Sequence, residues 1–153
     1  MGLFAALHTL GYTPYHVAEI LKNGCSHMDM TTQAIRGAQT GQGRYRKAEF
    51  DKWLGKYDAI VEIACFDLLD DILRMYPDAK FILTTREPRA WMASMNKTIV
   101  PAITSQHHFP NNVLRKFDKL FYSLSMLSST WMHVFFPGGD VRDEQGAIQK
   151  YNA

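Results

Sequence analysis

The stretch ILTTREPRAWMASM, residues 82–95, decides the fold. An apolar run ends on Arg86, Pro88 follows, and a helical pattern carrying Ser94 begins. Proline is tolerated in the first turn of a helix, where an N–H would be unpaired anyway. The preceding AKFILTT, 79–85, reads as the clearest strand in the chain. Trp91, Met92, Met95 and Ile99 then fall on one helical face. Arg86 therefore stands at a strand-to-helix seam. In open α/β sheets, ligands bind beyond the carboxyl ends of strands. A helix amino terminus aims N–H groups and partial positive charge at the same space. A guanidinium presents a planar fork suited to phosphate. Ser94, two turns into the helix, adds a hydroxyl for a ligand lying along it. The competing reading is a surface arginine paired with Glu87 or another acidic neighbour, and position alone leaves both open.

Working outward, DAIVEIA (58–64) reads as a buried parallel strand. FDLLDDILRMYP (66–77) reads as a helix with Phe66, Leu69, Ile72, Leu73 and Tyr76 inward, stopped by Pro77. YTPYHV (12–17) is a short aromatic and β-branched strand. It follows a helix over 3–10 that places Leu3, Phe4, Leu7 and Leu10 on one face and ends at Gly11. A helical turn closed by Gly24 comes next. A helix starting at Ser26 follows, with Asp29 at capping-box spacing. KAEFDKWLGKY brings Phe50, Trp53, Leu54 and Tyr57 to one face. Strands alternating with helices predict βαβα order and a parallel sheet, so the fold class is α/β and helix-rich.

Residues 113–136 predict one long helix, followed by PGG and another helix start in DEQGAIQKYNA. Its uncharged part contains four serines, a threonine and a histidine, and falls short of the roughly 20 apolar residues of a membrane span. A buried or capping helix is expected there, or a surface for a homo-oligomer. The chain has 153 residues, the usual size of one domain. Its net charge of +2 carries no global signature of a nucleic-acid or membrane-surface binder. The two cysteines, Cys25 and Cys65, lack zinc-like spacing, and no targeting segment is evident, so a cytoplasmic setting is expected.

Two further groups are placed for chemistry. His16 ends the first strand and is a candidate general base. Glu62, near the end of the second, is a candidate base or positioning carboxylate. His107 and His108 are adjacent and cannot share a helix face. His133 reads as a hydrogen-bonded core residue, and Asp70 and Asp71 as surface charge. No metal-ligand spacing appears, and neither GxxxxGK[ST] nor a GxGxxG after a strand is present.

With these residues in view, the segment from FDKWLGKYDAIVEIA through YPDAKFILTTREPRAWMASM resembles the centre of sulfotransferase-like P-loop proteins of the fungal type. LFAALHTLGYTPYH is similar to the helix and strand that follow the P-loop there, and GAIQKYNA to the start of a later helix. The resemblance implies a three-layer, P-loop NTPase-like parallel sheet and a single partial domain over 1–153. The P-loop and its first strand are expected to be lacking, as is the later family segment. It also implies 3′-phosphoadenosine 5′-phosphosulfate (PAPS) as sulfuryl donor. Arg86 and Ser94 match the arginine and serine, eight residues apart, that bind its 3′-phosphate. The acceptor is expected to be a small-molecule hydroxyl or amine, with His16 or Glu62 as base. The alternative is a non-catalytic nucleotide-binding or protein-interaction remnant of the same scaffold. A nucleoside triphosphatase or kinase is less well supported, because no Walker lysine is present.

Overall fold

The structure, a computed structural model, describes residues 2–62 and 68–152. It divides into two compact units, Met1–Ala79 and Lys80–Ala153.

The first unit runs α1 (Gly2–Thr9), β1 (Pro14–Tyr15), α2 (Val17–Lys22), α3 (Gly24–Thr40), α4 (Lys47–Leu54), β2 (Ala59–Ile60) and α5 (Leu69–Met75). The two strands pair in parallel, Pro14 with Ala59 and Tyr15 with Ile60. Val61 N–H continues the ladder by donating to the Tyr15 carbonyl at 2.8 Å. Tyr15, Ile20, Ile35, Phe50, Trp53 and Leu68 form the buried centre. The two polar tips among these, the Tyr15 hydroxyl and the Trp53 indole N–H, satisfy each other. Tyr15 Oη accepts the Trp53 indole N–H at 3.1 Å and lies 2.9 Å from His27 Nδ1. Burial pushes the Tyr15 phenol up to about 12, against the hydrogen bonds from Trp53 and Thr31.

The second unit runs α6 (Pro88–Lys97), α7 (Ile99–Ser105), α8 (Asn111–Leu114), α9 (Lys119–Phe135), a 3-10 turn (Pro137–Gly139) and α10 (Glu144–Asn152). Met92, Met95, Ile103, Leu127, Trp131 and Phe136 are buried in it. Pro88 takes the first helical position of α6, as the spacing predicts.

The chain is thus helix-rich α/β with a small parallel sheet. The expected strand over 79–85 is not formed. Among the described residues, no backbone–backbone hydrogen bond reaches residues 80–86. A strand is defined by its neighbour, and an exposed run without one among the described residues leaves its N–H and C=O groups to water. Phe81, Ile82 and Leu83 are correspondingly exposed, Leu83 to 87%.

Other expectations change as well. The long helix over 113–136 is broken. Asp118 starts α9 afresh by accepting from the Leu120 and Phe121 N–H groups. The apolar face of α9 is already buried by Leu127, Trp131, Val134 and Phe135. Ser26 is interior to α3. Asn23 closes α2, and Gly24, at φ 66°, turns the chain directly into the next helix. Ile72 is buried as expected, but Leu69 and Leu73 face outward and Leu68, outside the predicted stripe, is buried. Asp71 is 3% exposed, not surface charge, and is neutralised by Arg44 and Arg74. His133 is exposed, although its Nδ1 lies 2.9 Å from the Ser129 carbonyl as a hydrogen-bonded histidine should. Cys65, Phe66 and the end of the predicted second strand lie outside the described residues.

Candidate functional site

His16 and Glu62 come together within the first unit. His16 is the N-cap of α2, and its Nδ1 accepts the Ala18 N–H at 3.0 Å. Histidine is an unusual cap, but an unprotonated ring nitrogen at this position does what a serine oxygen does. Phe4 packs on the ring, with centroids 4.7 Å apart, and the side chain is nearly buried. Nε2 lies 2.8 Å from Glu62 Oε2. That approach is close but poorly aligned, an ion pair by distance when the ring is protonated and not a directed hydrogen bond. Glu62 sits at φ 68°, in the left-handed region that costs a non-glycine residue on the order of 1 kcal/mol or more. Its side chain is 37% exposed. A strained backbone therefore holds a partly solvated carboxylate against a buried imidazole, an arrangement able to accept and pass a proton.

Arg86 and Ser94 lie within the second unit. Arg86 immediately precedes the α6 cap, is exposed, and makes no ion pair among the described residues. The predicted competitor, an Arg86–Glu87 pair, is not made. Glu87 is engaged elsewhere. Its carboxylate accepts from Arg89 N–H at 3.0 Å and from Ala90 N–H at 2.7 Å. Those two backbone bonds hold its carboxyl below the ordinary value. Pro88 has no N–H, and Trp91 N–H already bonds the Glu87 carbonyl. The amino end of α6 is therefore sealed by its own glutamate. The expectation that its amides face a ligand is corrected, and any anion here depends on side chains. Ser94 lies two turns on, about 9 Å along the axis from Pro88. It is half-buried, and its hydroxyl has no partner among the described residues. Among the described residues, a guanidinium without an ion pair thus precedes α6, and a hydroxyl without a partner lies within it.

Two features escaped the sequence reading. Glutamate is not a favoured N-cap residue, so Glu87 gave no signal. Tyr151 binds Arg86 from 65 positions away. Its hydroxyl accepts the Arg86 N–H at 3.1 Å and donates to the Arg86 carbonyl at 3.2 Å. Elsewhere, a cleft of about 550 Å³ is lined by Arg44, Arg46, Lys47, Asp71 and Arg74. Asp71 binds both Arg44 and Arg74, which removes much of its appeal to an anion. Among the described residues, no group of His, Cys, Asp or Glu could hold a metal ion, and no helix is long and apolar enough to cross a membrane.

The chain is helix-rich α/β, with Arg86 exposed just before the Glu87 cap of α6. Comparison with known families makes this specific: the chain matches the sulfotransferase domain over residues 1–153 and belongs to that family. It is similar to the Ava biosynthesis cluster protein M of Aspergillus versicolor, at 38% identity over 105 residues. That match covers 67% of this chain but 40% of the relative, so the chain spans well under half of the relative's length. No solved structure matches.

Proposed function

We propose that this chain recognises the 3′-phosphate of PAPS through the Arg86 guanidinium and the Ser94 hydroxyl. The observation that carries this reading is Arg86 itself: an exposed guanidinium, unpaired among the described residues, held by its main chain at the head of α6. Its fork can take two phosphate oxygens, and Ser94 can donate to a third. Membership of the sulfotransferase family supports the choice of nucleotide. Isothermal titration with adenosine 3′,5′-bisphosphate, the product left after sulfuryl transfer, tests it. Arg86→Ala is expected to weaken binding by roughly tenfold or more. Unchanged binding would remove Arg86 from the site.

We propose separately that His16 and Glu62 act as the proton-accepting pair of sulfuryl transfer in the whole protein. The acceptor is a small molecule with a hydroxyl or amine. Its O–H or N–H proton passes to the pair as the acceptor atom bonds to sulfur. The bond from sulfur to the 5′-phosphate oxygen breaks, and adenosine 3′,5′-bisphosphate leaves with that electron pair. His16 Nδ1 is occupied by Ala18, so Glu62 is the member that meets the acceptor and His16 the member that steadies it. Glu62→Gln is expected to abolish transfer while leaving nucleotide affinity unchanged. Full activity in that variant would exclude the carboxylate as base.

A further inference from the structure

Residues 80–86 have no backbone–backbone hydrogen bond among the described residues. Arg86 is nevertheless anchored, because one hydroxyl serves both of its main-chain polar groups. Tyr151 Oη accepts from Arg86 N–H and donates to Arg86 C=O. This is the pairing a neighbouring strand would supply to one residue, delivered by a side chain from α10. The tyrosine is itself held. Its ring stacks on Trp91 with centroids 4.6 Å apart and planes 21° apart. A second tie joins the same helices, Asn96 Nδ2 donating to Glu144 Oε1 at 2.7 Å. Trp91 lies three residues before Ser94, on the same side of α6.

We infer that Tyr151 is a positioning residue for phosphate recognition by Arg86. This rests on the reading of Arg86 given above. The hydroxyl fixes the main chain from which the guanidinium projects, so that the side chain alone remains to be ordered when the ligand binds. Without it, binding must also order a stretch of backbone that no strand among the described residues restrains, and affinity falls. The effect is specific to the group Arg86 touches. A nucleotide without a 3′-phosphate gains nothing from the anchor.

The experiment is titration calorimetry on the full chain with adenosine 3′,5′-bisphosphate and with adenosine 5′-monophosphate. Tyr151→Phe keeps the ring stacked and removes only the hydroxyl. The expected result is about a tenfold weaker bisphosphate Kd, an unchanged monophosphate Kd, and a melting temperature within a degree or two of wild type. Glu144→Ala loosens the other tie and is expected to leave the preference for the bisphosphate intact. Equal weakening of both nucleotides by Tyr151→Phe, or loss of preference in Glu144→Ala, would assign the effect to α10 packing and overturn the proposal. If Arg86→Ala abolishes the preference and Tyr151→Phe leaves it whole, the positioning role falls while the Arg86 reading stands. If Arg86→Ala binds both nucleotides like wild type, the reading of Arg86 falls and the proposal with it.

Discussion

The Glu87 carboxylate lies 2.7 Å from the Ala90 N–H and closes the amino end of the helix that Arg86 introduces. Its folded carboxyl is held below the ordinary value by that bond and the one from Arg89. A carboxylate depressed in the folded state adds stability above its unfolded pKa, and that stability is lost as pH falls through the folded value. Glu87→Ala is therefore expected to melt lower than wild type at neutral pH. The gap should close as pH falls into and below the usual glutamate range. Thermal melts from pH 7 to pH 3 check this. A gap that persists at low pH would assign the loss to packing rather than to the cap.

His16 caps α2, and substitution can separate that from the proton-accepting role proposed for it. Asparagine is a good N-cap and can replace the Ala18 contact, but it cannot reach Glu62 as an imidazole does. His16→Asn is expected to keep near-native stability and lose sulfuryl transfer in the whole protein. His16→Ala should lose about 1 kcal/mol of stability as well. Denaturant melts beside activity assays distinguish the two. An active His16→Asn protein would reduce His16 to a helix cap.

Tyr15 offers its oxygen to the Trp53 indole in the centre of the first unit. Tyr15→Phe leaves that buried N–H without its acceptor, at a cost of about 1–3 kcal/mol. The phenol is also raised to about 12. The folded state thus favours the protonated form, and the associated stability is whole below about pH 10 and declines as pH rises toward 12. In an absorbance titration of the phenolates, Tyr15 and Tyr76, also raised to about 12, should ionise last. Early ionisation of all seven tyrosines below pH 11 would contradict the buried placement.

Phe81, Ile82 and Leu83 form an exposed apolar run without a strand neighbour among the described residues. Such runs template association between chains. Leu83→Lys is expected to reduce light scattering on concentration and to leave the melting temperature within a few degrees. A large drop in melting temperature would show that Leu83 is packed.

Much of this architecture was legible in the sequence. Two of the short apolar runs read as strands do pair in parallel, and Pro88 marks the start of α6. Other features were not legible, for physical reasons. The strand expected over 79–85 has strand composition, but composition does not supply a neighbour to pair with. Ile72 takes the core as its spacing predicts, but Leu68 is buried where Leu69 and Leu73 were expected, because helical spacing alone does not say which edge of an apolar stripe meets the core. Asp71 looked like solvent charge because its partner Arg44 is 27 residues away in the chain. Tyr151 was invisible for the same reason.

The central claim is that Arg86 and Ser94 recognise a 3′-phosphate. Titration of the wild-type chain with adenosine 3′,5′-bisphosphate and adenosine 5′-monophosphate, side by side at one salt concentration, tests it most directly. The bisphosphate is expected to bind at least about tenfold more tightly, a difference of about 1.4 kcal/mol from one added phosphate. Arg86→Ala is expected to erase the difference. Equal affinities in the wild-type chain would contradict the claim.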